Sequence, residues 1–298
     1  MTIYGAVEGG GTKFNCLVAT DKDHILAETR IPTTRPEETM KAVVDFFAKF
    51  EEEHDQKIAS IGVACFGPVD LNQQSPTYGC ITTTPKPDWA KAPILAPLKE
   101  RFDVPMDFEV DVNGAAIGEH TWGAAQGLTD FVYYTIGTGI GGGAMVGGKM
   151  LHGLMHAEMG HQYMPQVEGD DYPGYCPFHG HCFEGVATGP SLADHWGKPA
   201  QEFGIDHPAW ELEAEYIAIA MSNTVCMLSP QRIILGGGVM NQLHLFPMIR
   251  EKTINRLAGY IQRPEILEGI DNFIVPPGLG NYAGMMGALA MAMKAAVG

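Results

Sequence analysis

Short apolar runs alternate with helical stretches along this chain, the pattern of an α/β architecture. IYGAVEGG (3–10) and FNCLVATD (14–21) read as the first two strands and ILAETRIP (25–32) as the third, with a glycine turn between the first pair. EETMKAVVDFFAKFEEEH (37–54) sets Met40, Val43, Val44, Phe47 and Phe50 on one helical face, with Glu37 and Glu38 in its first turn. IASIGVACFG (58–67) and PMDFEVDVN (105–113) are expected as buried strands, and GAAIGEHTWGAA (114–125) as a small-residue helix leading out of this half. FVYYTIGTGIGGGAMVGGKML (131–151) then repeats the layout of strand, glycine turn and strand. A long helix over ELEAEYIAIAMSNTVCMLSP (211–230), a strand and glycine turn over RIILGGGVM (232–240) and a closing helix over YAGMMGALAMAMKAAV (282–297) complete the pattern. The simplest arrangement is two α/β lobes meeting at a cleft: residues 1–114 with the returning helix 282–298, and residues 115–281.

Composition narrows the classes of function. A formal charge of −16 excludes the clustered cationic surface that nucleic acid requires. No apolar run reaches the ~20 residues that span a bilayer, and no leader precedes the first strand, so a cytoplasmic protein is expected. Cys16, Cys65, Cys80 and Cys226, scattered among apolar neighbours, are expected as buried small hydrophobes in a reducing compartment. The methionines Met285, Met286, Met291 and Met293 of the last helix are read as core.

Three glycine clusters follow apolar strands: GGGTK (9–13), GTGIGGG (137–143) and GGGV (236–239). Bare backbone N–H groups there can approach phosphate oxygens that a Cβ would exclude. Gly137, Gly139 and Gly142 satisfy GxGxxG, but AMVGGKML (144–151) reads as strand where the dinucleotide fingerprint needs a helix. Thr12 separates Gly11 from Lys13, so no Walker A loop is present. The remaining geometry is a nucleotide held between lobes, with Thr12 and Thr138 in the two phosphate loops. FEVDVNGAAIGE (108–119) lies between those loops, and phosphoryl transfer to an alcohol needs one carboxylate to orient the hydroxyl and accept its proton. Asp111, at a strand end, fits that role; an N-cap or Asx turn before the following helix is the alternative.

The stretch HAEMGHQYMPQVEGDDYPGYCPFHGHC (156–182) concentrates histidine and cysteine. His161, Cys176, His179 and Cys182 give H-x14-C-x2-H-x2-C, two imidazoles and two thiolates that suit a tetrahedral structural Zn²⁺, with His181 as a competing imidazole. Four protein ligands close the sphere, so such a metal fixes the backbone of a zinc loop 161–182 and activates no water. His156 and Glu158 echo the H-x-E of zinc deaminases, but their P-C-x-x-C is absent.

The order of GGGTK, the Asp111 segment, IGTGIGGG, HAEMGH, CPFHGHCFEGVATGP and LGGGV resembles the ROK family of sugar kinases across nearly the whole chain, and its bacterial fructokinase branch in particular. Glu158, Gly160 and His161, followed by the cysteine-containing loop and Glu184, are the most specific part of that likeness. The resemblance implies an α/β, two-lobe, actin-like and ribonuclease H-like ATPase fold, with ATP, Mg²⁺ and a hexose as ligands. It implies Asp111 as base, Gly10, Gly11, Thr12 and Lys13 as the first phosphate loop, Gly137, Thr138 and Gly139 as the second, and Gly236, Gly237 and Gly238 beside the adenosine. Glu158 and Glu184 match positions that accept hydrogen bonds from sugar hydroxyls; His161 stands beside them at the sugar and as a metal ligand. Glu8, Val110 and His179 depart from the general family pattern, which has Asp, Asn and a third cysteine there, and all three resemble the fructokinase branch. ITTTPKPDWAKAPI (81–94) resembles that branch's sugar-facing loop, which makes Lys86 and Trp89 further candidate contacts, although a surface proline loop reads as well. Family habit implies a homodimer. A glucokinase, a kinase of mannose or of an N-acetylated amino sugar, and a noncatalytic sugar sensor are the competing readings.

Overall fold

The computed structural model describes residues 1–297, which form two compact units. In chain order, the first part carries β1 (Tyr4–Gly9), β2 (Lys13–Asp21), β3 (His24–Pro32), α1 (Pro36–His54), β4 (Ser60–Cys65), α2 (Leu95–Arg101), β5 (Met106–Val110) and α3 (Asp111–Trp122). The second carries β6 (Phe131–Ile136), β7 (Ile140–Val146), β8 (Lys149–Met150), α4 (Phe183–Val186), α5 (Gly189–Trp196), α6 (Ala209–Leu228), β9 (Arg232–Gly236), α7 (Leu245–Leu257), α8 (Pro264–Leu267), α9 (Ile270–Phe273) and β10 (Ile274–Val275). The closing helix α10 (Ala283–Ala295) belongs to the first unit.

Each unit is built on one five-stranded mixed sheet, in the orders β3-β2-β1-β4-β5 and β8-β7-β6-β9-β10. The connectivity repeats: in each, three consecutive strands form an antiparallel meander, and two further strands add in parallel beside the first strand of that meander. This is the duplication that the strand, glycine turn and strand pattern predicts.

The first sheet is sandwiched between helices. On α1, Met40, Val43, Phe47 and Phe50 are buried, as their spacing requires, and Pro36 with Glu37 and Glu38 starts the helix where a missing N–H and negative charge are both favoured. Helix α10 packs against α3, β1 and β4. It is apolar on several faces because backbone meets backbone there: a Cβ on Gly287 would run into the Gly114 carbonyl, and one on Gly118 would lie 2.8 Å from the Gly287 nitrogen. Ser60 completes the contact by donating to the Ala292 carbonyl at 2.6 Å. Met285, Met286 and Met291 are core residues and Met293 is half-buried.

Three details differ from the sequence reading. The first unit runs to Gln126, because α3 packs on α10, and takes in residues 152–156, which His152 and His156 tie to Glu109 and Val69. Asp111 is the first residue of α3 and not the last of a strand, with Val110 as the N-cap. Cys16 and Cys65 are buried, but Cys80 is only half-buried and Cys226 is exposed near the end of α6.

Candidate active site

In the first unit, β1, β4 and β5 run parallel, so their C-terminal ends lie together. Ligands of open α/β sheets collect outside such ends. The GGGTK turn leaves β1 there, closed by Gly10 N–H donating to the Lys13 carbonyl at 2.8 Å and by Thr33 Oγ1 donating to the Gly10 carbonyl at 2.7 Å. Gly11 and Thr12 are exposed, and nothing lies within 4 Å of the Cβ position of Gly11, so the turn offers open backbone.

Asp111 leaves β5 at the same end. Its Oδ1 accepts from the Val112 N–H at 2.8 Å, and burial pushes its carboxyl up to about 6, with the Val112 hydrogen bond opposing and the charge of Glu8 adding. Burial also raises Glu8, while Asn15, which donates to it at 2.8 Å, and Lys13 lower it. A carboxylate held near 6 is ionised at neutral pH yet basic enough to take a hydroxyl proton in a transition state. Two carboxylates and one lysine beside an open glycine turn have the chemistry to serve as a base and an anion cradle.

Next to Asp111 sits a group that the sequence reading missed. Asn113 Nδ2 donates to Glu109 at 2.8 Å, and His152 Nε2 lies 2.7 Å from the other Glu109 oxygen. Glu109, with Asp107 adding, holds the His152 imidazolium above its ordinary range. His156 Nε2 accepts from the Val69 N–H at 3.2 Å, so residues 152 and 156 both tie their segment to the first unit. Glu109 and Asn113, four residues apart across the β5–α3 junction, could have exposed part of this group; His152 comes 39 residues after Asn113 and carries no local signal.

In the second unit, β6 and β9 are parallel neighbours with Thr135 opposite Gly236, so the second and third glycine loops emerge side by side. Gly137 N–H donates to the Gly139 carbonyl at 2.9 Å, and the Cβ position of Gly137 lies 3.4 Å from the Gly238 nitrogen. Gly237 has φ +92°, a conformation that side chains resist, and it lets the chain turn tightly against Ile136. Thr138 and Gly238 are exposed. The N-terminus of α5 also reaches this place: Thr188 caps it in a capping box with Ser191, and Gly189 N–H donates to the Gly137 carbonyl at 2.9 Å. The T-x-x-S spacing in VATGPS marks that helix start, and the sequence reading passed over it.

HAEMGH packs directly on the start of β7, where a side chain at Gly160 would collide with the Ile140 carbonyl. Glu184, on α4, accepts from the Ile140 N–H at 3.0 Å through Oε2, and its Oε1 lies 3.9 Å from His161 Nε2. Glu158 is exposed in the same loop, its carbonyl accepting from His161 N–H at 3.0 Å.

His161, Cys176, His179 and Cys182 converge, their ligand atoms all within 4.8 Å of one another. Cys176 Sγ lies 3.8 Å from His161 Nδ1 and 3.7 Å from His179 Nδ1, and Cys182 Sγ lies 3.6 Å from His161 Nδ1. Tetrahedral bonds of ~2.3 Å to sulfur and ~2.0 Å to nitrogen put such atoms roughly 3.5 Å apart, so the donor set and spacing fit Zn²⁺. His181 is otherwise engaged: Nδ1 donates to the Met164 carbonyl at 3.2 Å, and Nε2 lies 3.1 Å from the Tyr216 hydroxyl.

One candidate leaves the site. Trp89 is fully buried, stacked on Phe14 with ring centres 5.5 Å apart, and its Nε1 donates to the Thr34 carbonyl at 2.8 Å. It is a core residue with its only polar atom in use, and cannot present itself to a sugar; Lys86 is half-buried in the adjoining loop.

The repeated mixed sheet, the glycine turns at its strand ends and the half-buried carboxylate define a phosphotransferase of the ribonuclease H-like class. The ROK family model matches residues 4–295, and the chain belongs to the ROK family. It is 43% identical over 291 residues to a putative fructokinase of Bacillus subtilis, covering 98% of this chain and 95% of that one. It is 42% identical over 296 residues to a fructokinase of Zymomonas mobilis, covering 98% and 97%. Among solved structures it is similar to a ROK hexokinase from Thermus thermophilus, with TM-score 0.77, 26% identity and 98% of each chain covered. A ROK glucokinase from Streptomyces griseus, solved with glucose and AMPPNP, has the same fold, with TM-score 0.75 at 24% identity and 98% and 99% of the two chains covered.

Proposed function

We propose that this chain is an ATP-dependent sugar kinase that transfers the γ-phosphoryl group to a hexose hydroxyl, with D-fructose as acceptor and fructose 6-phosphate as product. The observation that carries the reading is Asp111, a carboxylate raised to about 6 by burial beside the open GGGTK turn. Asp111 orients the sugar hydroxyl and accepts its proton as the oxygen attacks the γ-phosphorus; the bond from that phosphorus to the β,γ-bridging oxygen breaks, ADP leaves with the electron pair, and the proton passes from Asp111 to solvent. The backbone N–H groups of Gly10, Gly11, Thr12, Gly137, Thr138 and Gly139, with Lys13, hold phosphate oxygens; Gly236, Gly237 and Gly238 border the adenosine. Glu158, Glu184 and His161 bind sugar hydroxyls, Lys86 being a further candidate contact. Mg²⁺ supplies neutralising charge on the phosphate oxygens. Glu8, a half-buried carboxylate beside Lys13, would be a hard-oxygen donor for such an ion in its ionised form.

Zn²⁺ on His161, Cys176, His179 and Cys182 is part of the reading, and its role is positional. His161 is three residues from Glu158 and Cys182 two from Glu184, so fixing the four ligands fixes both carboxylates. Misplacing a reacting group by ~1 Å can cost about a hundredfold in rate. The proposal also takes the family's homodimer and a cytoplasmic location; no helix among the described residues is long and apolar enough to cross a membrane.

The identity of the relatives named above supports fructose over other hexoses. A panel of fructose, glucose, mannose and N-acetylated amino sugars, read by coupled ATP consumption, tests it. Fructose should give the highest kcat/KM. Preference for glucose would make the chain a glucokinase, and sugar binding without ATP turnover would make it a sensor.

A further inference from the structure

The cysteine–histidine loop is tied to the body of the second unit by contacts that involve no metal ligand. Asp170, in the acidic stretch between His161 and Cys176, accepts a short hydrogen bond from Tyr216 on α6 and receives the Tyr172 N–H at 3.0 Å. His181 reaches the same Tyr216 hydroxyl at 3.1 Å and donates to the Met164 carbonyl at 3.2 Å. His195 on α5 lies 3.5 Å from Asp170, and the Tyr172 ring stacks on His195 at 4.3 Å while its hydroxyl donates to Asp194 at 2.8 Å. Tyr216 is 1% exposed, and burial and Asp170 together keep its proton in place. One phenol therefore joins the two arms of the loop: the arm before Cys176 through Asp170, and the arm that ends in Cys182 and Glu184 through His181. Those same arms run alongside each other, with Tyr163 bridged to Cys182.

We propose that Tyr216, with Asp170 and His181, is a second, metal-independent anchor of this loop, a set of positioning residues that keeps Glu184 in place when the four ligands do not. The chemistry is that of hydrogen bonds to a buried carboxylate, the kind whose loss is most costly. A metal clamps residues 161, 176, 179 and 182 to one another; it does not clamp them to α5 or α6. The Tyr216 group does that. This inference rests on the kinase reading only where sugar affinity is the readout.

The loop carries its own reporters. Tyr163, Tyr175 and Phe178 are 75%, 52% and 63% exposed, and Tyr260, far from the loop in sequence, is 90% exposed. Chymotrypsin cuts after such residues once the backbone around them opens. Metal-free protein, prepared with a chelator, should be cut after Tyr163, Tyr175 and Phe178 about tenfold faster in Tyr216→Phe than in the unsubstituted chain, the size expected for one lost hydrogen bond to a charged group. Cutting after Tyr260 should not change, which separates a loosened loop from a destabilised fold. Asp170→Asn should give the same loop-specific effect, and the double variant should add little to either. In zinc-loaded protein, Tyr216→Phe should release zinc to a chromogenic chelator faster and raise the sugar KM several-fold while the ATP KM and kcat hold. Equal loop cutting in Tyr216→Phe and the unsubstituted chain, or an equal acceleration after Tyr260, would overturn the proposal whether or not the chain binds zinc or phosphorylates any sugar.

Discussion

Glu184 spans the Ile140 N–H and His161: one carboxylate oxygen accepts from the backbone of the second glycine loop at 3.0 Å, and the other faces the imidazole at 3.9 Å. A side chain proposed to bind sugar is thereby held on one side by the backbone of the loop proposed for phosphate and faces, on the other, a histidine proposed to bind zinc. On the proposed roles, this arrangement would couple the two substrates through a single rotamer, since displacing Glu184 removes an acceptor from the Ile140 N–H and displacing the loop releases Glu184.

Glu184→Gln and Glu184→Ala separate those roles. Gln retains an acceptor for Ile140 N–H but loses the charge; Ala loses both. Gln should raise the sugar KM about tenfold and leave the ATP KM within about twofold, since a hydrogen bond to a charged group contributes ~1.5–3 kcal/mol. Ala should raise both constants. Initial-rate kinetics with each substrate varied decide it, and an unchanged sugar KM in both variants removes Glu184 from the sugar site.

As the proposed base, Asp111 should set the acid limb of the pH profile. The base must be ionised, and its carboxyl lies at about 6, so log kcat/KM should rise with unit slope below pH 6 and level off above it. The charge of Glu8 is one cause of that raised value, so Glu8→Gln should move the limb to lower pH. A limb that stays put in Glu8→Gln would mean the two carboxylates do not sense each other.

The same residue carries a cost in stability. An unfolded Asp titrates at about 3.9, so between pH ~4 and ~6 the folded chain holds a proton that the unfolded chain has lost. Stability is highest below that window and falls as pH rises through it. After discounting for the partial exposure of the side chain, the loss is on the order of 1–2 kcal/mol. Asp111→Asn should therefore abolish turnover to within a thousandth of the original while raising Tm at pH 8, and should leave Tm nearly unchanged at pH 4. Thermal melts at both pH values test the sign.

Chelation should act on sugar more than on nucleotide. Burial, with Cys176 adding, pushes the Cys182 thiol up to about 12, so metal uptake must displace its proton and weakens as pH falls. A stripped sample should show a higher sugar KM and lower turnover, with nucleotide affinity by calorimetry within about threefold. Full activity without metal would contradict the positional role of the four ligands.

The order of strands, the face of α1 and the three glycine turns were legible in the sequence because each depends on local periodicity or on backbone that only glycine allows. The convergence of His161, Cys176, His179 and Cys182, the four candidate ligands, was legible from short spacing. The choice between His179 and His181 was not, because it depends on Tyr216, 35 residues beyond His181, which competes for one of the two imidazoles. Trp89 misled because an indole in a proline-rich loop looks like a sugar platform, and only packing against Phe14 shows it to be core. The Glu109, Asn113 and His152 group stayed hidden because its histidine comes from a distant loop whose return to the first unit no local pattern encodes.

The contact between α3 and α10 offers the sharpest test of the packing. The Cβ position of Gly287 meets the Gly114 carbonyl, and those of Gly114 and Gly118 meet Ala64 and the Ala283 carbonyl. Backbone atoms cannot swing aside as a flexible side chain can, so an added methyl must push the helices apart, and overpacking of this kind costs ~1–3 kcal/mol or more. A helix interior otherwise favours Ala over Gly by ~1 kcal/mol, so the propensity gain works against the clash. Where both partners are main chain, the clash dominates. Gly287→Ala should lower the urea midpoint, and because α3 begins at Asp111, it should also lower kcat. Gly204→Ala, with nothing within 4 Å of its Cβ position, serves as the neutral control. A Gly287→Ala protein as stable as the Gly204→Ala protein would show that α10 can shift away from α3 without loss, and the close backbone packing would not be what holds Asp111 in place.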